Sequence, residues 1–443
     1  MEKFLKSTLI LLIGGFITKT LGMLIKIIMT RSIGAEGIGL YMMILPTFTL
    51  FISLAQFGFP IALSKLVAEN KKNNKQLVMS IIPVSFLINI CLIIFIIVIT
   101  PFLSQQLLHE PRTYYPLLAI ALVIPLTSLS SIVRSYFFGK EEMFPHVLSN
   151  VTEDIIRLLL VLFGIPMFLT FGIEIAVTFV VLTNIISELV SILILLFFLP
   201  KKAKIKKKDL RPRKSYIKES LSIGIPNTTS KLVGSIGYFL EPILLMNILL
   251  FVGYNQSFIL TEYGIFSGFV LPLLLLPSFF TLAISQALLP VISREYTKKN
   301  FSLCKRKIKQ AIFFSLLIGF PVTIFFVLAP DIPLMLIYNT KEGASYLRFL
   351  APICLFQYIQ APLSFSLDAM GKGKDAMFAT LFGVITRSSL LLLLSLFRIG
   401  LWGLIIATSI NVFIVTIHNY KKVRFHLKTP IKKKVHTNAL PLV

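Results

Sequence analysis

Apolar runs of about 20 residues recur along the whole chain, and they constrain the fold more than any other feature. A helical run of that length matches the roughly 30 Å hydrocarbon core of a bilayer. The chain has 443 residues, of which 56% are hydrophobic and only 14% are charged, so we predict an all-α polytopic membrane protein. The twelve predicted spans are residues 8–29, 40–64, 78–100, 116–138, 145–168, 174–199, 219–240, 262–292, 310–330, 346–370, 375–397 and 401–420.

The 44 Lys and Arg residues are distributed unevenly between the two sides of the predicted spans. With the N-terminus in the cytoplasm, 33 of them lie in inside segments and 5 in outside loops. This asymmetry predicts a multi-pass protein of the bacterial cell membrane with both termini cytoplasmic. The net charge of +25 is then a topology signal that also attracts anionic lipid headgroups, and no nucleic-acid partner is expected.

An internal repeat relates the two halves of the chain. T-K-T-L-G at 18–22 matches S-K-L-V-G at 230–234, and Arg157 near the end of the first half matches Arg387 in the second. Six spans per half make this a parallel repeat about an axis along the membrane normal. Proteins of this kind place their substrate site between the two lobes.

The long, polar, basic segment at 201–214 marks the boundary between these lobes. We therefore predict four parts, which are an N-lobe at 1–200, a cytoplasmic linker at 201–214, a C-lobe at 215–420 and a basic cytoplasmic tail at 421–443. The fold expected from this division is two six-helix lobes related by a parallel repeat.

Basic residues also lie inside the predicted spans. Lys19, Lys231, Arg157 and Arg387 fall near the middle of theirs, where a charged group is costly and should face a bundle interior or a water-filled cavity. Lys26 follows Lys19 by seven residues, so both lie within about 20° of the same helix face. We predict that these five residues bind substrate.

Each of these cations also has a structural alternative. Glu153 and Asp154 precede Arg157 by four and three residues and could neutralise it on its own helix, whereas Arg387 has no acidic residue at those positions. Lys26 could instead extend to the membrane surface.

The remaining charged residues near the spans are expected to have structural roles. Arg31 and Arg134 lie near predicted helix ends and should extend to the surface, and Glu241 lies where capping or solvation would suffice. Glu188 is near mid-depth in the sixth span, where it could pair with Lys19 or Arg157 or carry a coupling ion.

No metal or cofactor is predicted. The five histidines are scattered, and Cys91, Cys304 and Cys354 have neither metal-ligand nor redox spacing. Disulfide bonds are also not expected.

The segment FLKSTLILLIGGFITKTLGMLIKIIMTR, together with GYFLEPILLMN and SQALLPVISREY, resembles the stage V sporulation protein B family of polysaccharide-biosynthesis membrane proteins. That family belongs to the multidrug/oligosaccharidyl-lipid/polysaccharide (MOP) flippase superfamily. The resemblance runs from residue 1 to about residue 425. It implies two six-helix lobes in a V arrangement, alternating access and transport of undecaprenyl-diphosphate-linked sugars for peptidoglycan, with the spore cortex as the destination.

The first helix departs in detail from that of the related murein flippases, which reads approximately S-R-x-L-G-x-x-R-D. Here Lys19 stands at the first Arg and Gly22 at the Gly, whereas Ile25 occupies the second Arg position and Lys26 the Asp position. The cationic character is retained but displaced by one residue. Many relatives have fourteen spans, so a lipid-tail groove formed by two further helices is not expected in this chain.

We therefore expect a non-enzymatic flippase whose partner is a lipid-linked oligosaccharide in an anionic bilayer, with the oligomeric state left open. The first alternative is a multidrug or cation antiporter of the same fold, which would need acidic and aromatic cavity residues. A membrane glycosyltransferase would need a catalytic carboxylate on a substantial outside loop, and those loops are short. A membrane scaffold without transport is the third alternative.

Overall fold

The computed structural model describes residues 2–69, 73–199 and 212–428, and within these ranges the chain is helical with short connections and no strand. Most of the predicted linker 201–214 and the tail beyond residue 428 lie outside the described residues. The helices of the N-terminal half are α1 (Glu2–Gln56), α2 (Phe59–Ala68), α3 (Asn74–Phe102), α4 (Tyr114–Gly139), α5 (Met143–Leu169) and α6 (Ile173–Phe197). Those of the C-terminal half are α7 (Lys214–Val252), α8 (Gln256–Gly264), α9 (Leu271–Leu275), α10 (Ser278–Thr297), α11 (Phe301–Leu328), α12 (Asp331–Tyr338), α13 (Ala344–Ala369), α14 (Gly373–Ser395) and α15 (Trp402–Lys428).

Ten helices among the described residues are long and apolar enough to cross a membrane. One of them contains two spans, because α1 is interrupted at Gly34, whose φ of 68° is readily adopted only by glycine. The helix α5 has 27 residues and is long enough to cross, although it carries Glu153, Asp154 and Arg157. The predicted architecture of about twelve transmembrane helices is therefore confirmed.

The second span of each half is broken. In the N-terminal half, Phe57 (φ 45°) and Gly58 (φ 67°) separate α1 from α2. In the C-terminal half, a π-helical turn at Ile265–Val270 joins α8 to the short helix α9, and a turn at residues 276–277 separates α9 from α10. Such a turn widens the helix locally and often occurs at functional sites.

The helical bundle has two ends, a terminal face and a far face. The terminal face contains the first turns of α1 and the last turn of α15, and the far face contains Gly34, Glu110 and Asn255. Each half packs its own helices together, and the halves meet mainly where α1 packs on α7 and α8 and where α2 and α3 pack on α7. One large hydrophobic core cluster extends through both halves, including Leu40 and Phe266, which are fully buried.

On the far face, the halves approach each other so closely that their backbones touch. A Cβ atom placed on Gly39 of α1 would lie 2.1 Å from the carbonyl oxygen of Leu260 in α8. One placed on Gly264 would lie 2.1 Å from the carbonyl oxygen of Ala35. Only glycine permits this crossing, because any side chain would collide with main-chain atoms that cannot move aside.

Hydrogen bonds from the connection between α3 and α4 reinforce the contact at the far face. Asn247 of α7 donates to the carbonyl oxygen of Leu107 at 2.7 Å, and its Oδ1 lies 2.9 Å from His109 Nε2. Gln256 of α8 donates to the buried carboxylate of Glu110 at 2.8 Å. The far face is therefore closed by both backbone packing and polar contacts between the halves.

Towards the terminal face the packing between the halves is asymmetric. Gly58 and Gly224 bring the start of α2 against α7, where an added Cβ on Gly58 would lie 2.3 Å from the Gly224 carbonyl oxygen. In contrast, Cβ atoms added to Gly15 and Gly22 of α1 or to Gly234 of α7 would meet no atom within 4 Å. These faces of the two equivalent helices border open space.

Candidate functional site

A buried ion-pair network joins α4, α5 and α6. Arg134 of α4 pairs with Glu153 of α5 and, at 3.2 Å, with Glu188 of α6. Its Nη2 also donates to Ser191 Oγ at 2.6 Å. The side chains of Glu153 and Glu188 are only 9% and 7% exposed, so this arginine neutralises carboxylates that could not stay ionised in the bundle without a partner.

Arg157 lies in the same network. It pairs with Glu153 four residues earlier, and its Nη1 lies 3.4 Å from Asp154 Oδ1. Its Nη2 also lies 3.4 Å from Ser187 Oγ of α6. These contacts support the structural alternative for Arg157, although its side chain remains 22% exposed.

Two sequence-based expectations about this network are wrong. Arg134 does not extend to the membrane surface but lies among the carboxylates of neighbouring helices. Glu188 does pair with a cation, but that cation is Arg134 rather than Lys19 or Arg157. No spacing in the sequence indicates these contacts, because the three helices meet only in the folded protein.

A second ion pair lies in the C-terminal half. Arg387 Nη1 of α14 is 2.7 Å from Glu241 Oε2 of α7, and Arg387 Nε donates to Thr408 Oγ1 of α15 at 3.1 Å. Arg387 therefore has an acidic partner, as it must in a bilayer interior, but the partner comes from another helix. The expectation that Glu241 lies at a helix end is therefore wrong. The predicted span stops at residue 240, whereas α7 continues to Val252.

A small cavity of about 160 Å³ adjoins this ion pair. Gly234, Gly237 and Tyr238 of α7 form one wall, and Thr380 and Arg387 of α14 lie on the other. The guanidinium is thus paired yet reachable from the open face of α7 that begins at Gly234.

Lys19 and Lys26 lie on the face of α1 that is directed at α8 to α10 in the other half. Phe16, three residues before Lys19, contacts Phe279 with ring centroids 5.4 Å apart. Lys26, seven residues after Lys19, donates to the carbonyl oxygen of Ser267 in the π-helical turn at 2.9 Å. Since residues at these spacings share a helix face, Lys19 stands on the side of α1 that faces the other half.

Lys231 has the matching position on α7. Ser235, one turn later, lies 3.4 Å from Ser53 of α1, hydroxyl to hydroxyl. Lys231 therefore stands on the side of α7 that faces the second span of the N-terminal half. Both lysines are exposed, and neither forms an ion pair in the part of the chain that the structure describes.

The five predicted binding residues do not form one cluster. Arg157 and Arg387 are engaged in separate ion pairs, while the three lysines line the interface between the halves. Tyr41 and Tyr238, which the sequence did not single out, lie between the two ion-pair networks. Tyr41 is within electrostatic range of Arg157, and Tyr238 is within range of both Arg387 and Tyr41.

Lys19 also contributes to the charge balance of the first network. Arg134 and Arg157 face three carboxyl groups there. Lys19, although exposed, is within electrostatic range of one of them, Asp154. No group of three or more potential metal-ligating side chains occurs within the described ranges.

Comparison with known proteins identifies two matching families. The family described as "Polysaccharide biosynthesis protein" matches residues 4–295. The MatE family matches residues 235–393.

Individual proteins match over nearly the full length. Stage V sporulation protein B of Bacillus subtilis is 34% identical over 455 residues, which covers 100% of this chain and 88% of that protein. Lipid II flippase MurJ of Bacillus subtilis is 23% identical over 475 residues, covering 100% of this chain and 86% of that one. The solved inward-facing structure of a multidrug resistance MATE family transporter of the MOP superfamily superposes with a TM-score of 0.72 at 18% identity, covering 92% of this chain and 94% of that chain.

Proposed function

Because this chain belongs to the polysaccharide biosynthesis protein family, in which stage V sporulation protein B is a near relative, we propose that it is a flippase for undecaprenyl-diphosphate-linked sugars. The match to a protein named lipid II flippase supports this class of substrate. The substrate would be a precursor of peptidoglycan, and the sporulation relative suggests the spore cortex as its destination. The protein would move the headgroup by alternating access, without covalent chemistry.

The proposal rests on the placement of Lys19 and Lys231. They occupy equivalent positions in the two halves, are exposed and form no ion pair among the described residues, although Lys19 is within electrostatic range of Asp154. An unpaired ammonium deep in a membrane protein requires water or an anionic ligand. A diphosphate is a dense anion, and ammonium groups would bind it through charge-assisted hydrogen bonds.

Lys26 and the two arginines would act at the edges of this site. Lys26 now donates to a main-chain carbonyl and could exchange that acceptor for a phosphate oxygen. Arg387 is reachable through the cavity beside α7, where an anionic headgroup would compete with Glu241 for the guanidinium. Arg157 is held more firmly by two acids on its own helix, so we assign it a smaller part in binding.

Movement of the headgroup would depend on two lobes, the N-lobe at 1–200 and the C-lobe at 215–420. With both termini cytoplasmic, the terminal face is the inner one and the far face the outer one. The closed far face and the open space beside Gly22 and Gly234 then describe a state open to the cytoplasm. Release of the headgroup on the outer side would require α1 and α8 to separate where Gly39 and Gly264 now bring their backbones together.

A cation antiporter remains the second candidate because of one specific observation. The network around Glu153, Asp154 and Glu188 has more carboxylates than arginines, and Tyr41 lies close to it. A cationic substrate would favour such a surface. The unpaired lysines on the interface argue against this function, since they would repel a cation.

The decisive experiment measures flipping of a lipid-diphosphate-linked sugar in proteoliposomes. We expect Lys19→Gln and Lys231→Gln each to weaken substrate binding roughly tenfold to a hundredfold, since a hydrogen bond to a charged ligand contributes about 1.5–3 kcal/mol. Lys298→Gln, at the exposed end of α10, is the matched control and should flip normally. Normal flipping by both interface variants, or faster export of a cationic dye by Lys19→Glu, would favour the antiporter.

A further inference from the structure

A groove opens at the terminal face between the first turns of α11 and the last turns of α15. Both helices pack closely on α13 but only weakly on each other, so they form the walls of the groove and α13 forms its floor. The volume is about 310 Å³, within the range of roughly 300–1,000 Å³ that small-molecule sites occupy. The bottom of the groove is apolar, because Leu363 of α13, Ile308 of α11 and Val423 of α15 line it and are buried.

Four basic side chains line the same groove, two on each wall. Lys305 and Lys309 belong to α11, and Arg424 and Lys428 belong to α15. The two residues of each pair are four positions apart and therefore share a helix face. All four are exposed, and none of them forms an ion pair in the ranges that the structure describes. Since no described residue in the lining is acidic, the groove is complementary to an anion.

The neighbouring carboxylate is engaged elsewhere. Asp375 of α14 lies 3.2 Å from Lys422 Nζ and 2.6 Å from His426 Nε2. At about 100° per residue, both of these residues stand on the side of α15 opposite to Arg424. The tail beyond residue 428 carries three consecutive lysines at 432–434, so its charge does not suit the groove either. The anion that the groove favours must therefore come from outside this chain.

The groove crosses the level at which the apolar parts of both helices end. Residues 311–328 of α11 and 402–420 of α15 contain no Asp, Glu, Lys or Arg. Lys309 and Arg424 lie just outside these runs, whereas Ile312 and Tyr420, which also line the groove, lie inside them. Because the apolar runs span the hydrocarbon core, the four cations stand at the depth of the lipid headgroups. The groove then continues from the cations towards the hydrocarbon.

A second depression, of about 670 Å³, shares Lys305 and Lys309 but lies on another side of α11. Every described residue that lines this depression belongs to α11, so no second helix helps to enclose a ligand there. In the groove, by contrast, cations from two helices border one space. A bound anion would be held from both sides, which favours the groove as the binding site.

We propose that this groove binds an anionic phospholipid of the leaflet at the terminal face. The lipid phosphate lies between the lysines of α11 and the cations of α15, and an acyl chain passes Ile312 and Tyr420 into the hydrocarbon. Basic pockets between transmembrane helices are known to bind such headgroups. The lipid neutralises the like charges of the two walls and links α11 to α15. The site is independent of the substrate that the interface between the halves carries.

The test measures lipid binding to the full chain in detergent by native mass spectrometry. Phosphatidylglycerol should bind at least tenfold more tightly than phosphatidylethanolamine with the same acyl chains, because only the first lipid has a net negative charge. Lys309→Gln and Arg424→Gln, one on each wall, should each raise the Kd of phosphatidylglycerol roughly fivefold. Both side chains are exposed and unpaired within the described ranges, so the melting temperatures of the variants should equal that of the wild type.

Lys374→Gln is the matched control, because it removes the same charge from an exposed position at the start of α14 on the same face but outside the groove. It should bind phosphatidylglycerol as the wild type does. Equal affinities for the two lipids would overturn the site. An equal loss in Lys374→Gln and Lys309→Gln would also overturn it, since binding would then follow the net charge of the face. Displacement of the lipid by an equal concentration of inorganic phosphate would mean a simple anion site and refute the phospholipid.

Discussion

Arg387 and Glu241 stand on separate helices, α14 and α7, and their side chains meet at 2.7 Å in the interior of the C-terminal half. The glutamate is 7% exposed and the arginine 23%, so the arginine is the partner that can reach a ligand. The contact stabilises the fold and also holds a cation beside the interface. These two roles can be separated by experiment.

We first predict that Arg387→Ala lowers both protein stability and flipping. Removing one partner of a buried ion pair costs about 3–5 kcal/mol, because Glu241 is left charged without a partner. The double variant Arg387→Met with Glu241→Leu should recover thermal stability in detergent, since both buried charges are gone. If the double variant also recovers flipping in proteoliposomes, Arg387 has only a structural role.

The second prediction compares two ion pairs of different burial. Arg134→Ala strands Glu188 and leaves Glu153 with Arg157 alone, so it should reduce membrane protein level and melting temperature markedly. Arg294→Ala is the control, because its pair with Glu295 involves an arginine side chain that is 67% exposed. Exposed ion pairs contribute about 0–1 kcal/mol to the free energy of unfolding, so this variant should have the melting temperature of the wild type. Equal melting temperatures for the two variants would contradict the structural role of Arg134.

The third prediction concerns the contact between Gly39 and Gly264. Gly39→Val places a side chain against the Leu260 carbonyl. This overpacking destabilises the closed far face by about 1–3 kcal/mol, so the ratio of closed to open molecules should fall about tenfold. Spin labels at Tyr115 and Lys341, which are exposed on the far face of opposite halves, should then show longer distances.

Gly15→Ala provides the control for this experiment, because a Cβ there meets no neighbouring atom. It should leave the label distances unchanged. A wild-type distance distribution for Gly39→Val would mean that the far face does not open by separation of this crossing.

The fourth prediction concerns orientation in the membrane. Single cysteines in 201–214 and 421–443, introduced in a cysteine-free background, should be protected from impermeant reagents in intact cells and react after permeabilisation. A cysteine at Lys341, on the opposite face, should react in intact cells. The reverse pattern would invert the assignment of the outer face.

The spans could be predicted from the sequence because hydrophobic length is a local property. The twelve apolar runs fall on helices, and the seven-residue spacing correctly places Lys19 and Lys26 on one helix face. The end of α7 could not be located in this way, since its turn beyond residue 240 is as apolar as the predicted span. Because of this one boundary, the sequence predicts capping or solvation for Glu241 and not the ion pair with Arg387.

The partners of the charged residues were harder to predict for a different reason. Arg134 finds its acids on α5 and α6, and Arg387 finds Glu241 on α7, so the pairing depends on how helices pack. The hydrogen bonds of Arg31 to the carbonyl oxygens of Leu336 and Ile337 are likewise beyond sequence reasoning, because Arg31 and these residues are more than 300 positions apart in the chain. The repeat relates Arg157 to Arg387 and so predicts similar surroundings for the two residues, each of which pairs with a glutamate.

The break at Gly34 has a consequence for biogenesis. Within Glu2–Gln56 only this residue leaves the helical conformation, so the first two spans have no loop between them. We therefore expect the two spans to insert into the bilayer together as a hairpin and not one after the other, with Arg31 and Glu36 at its tip.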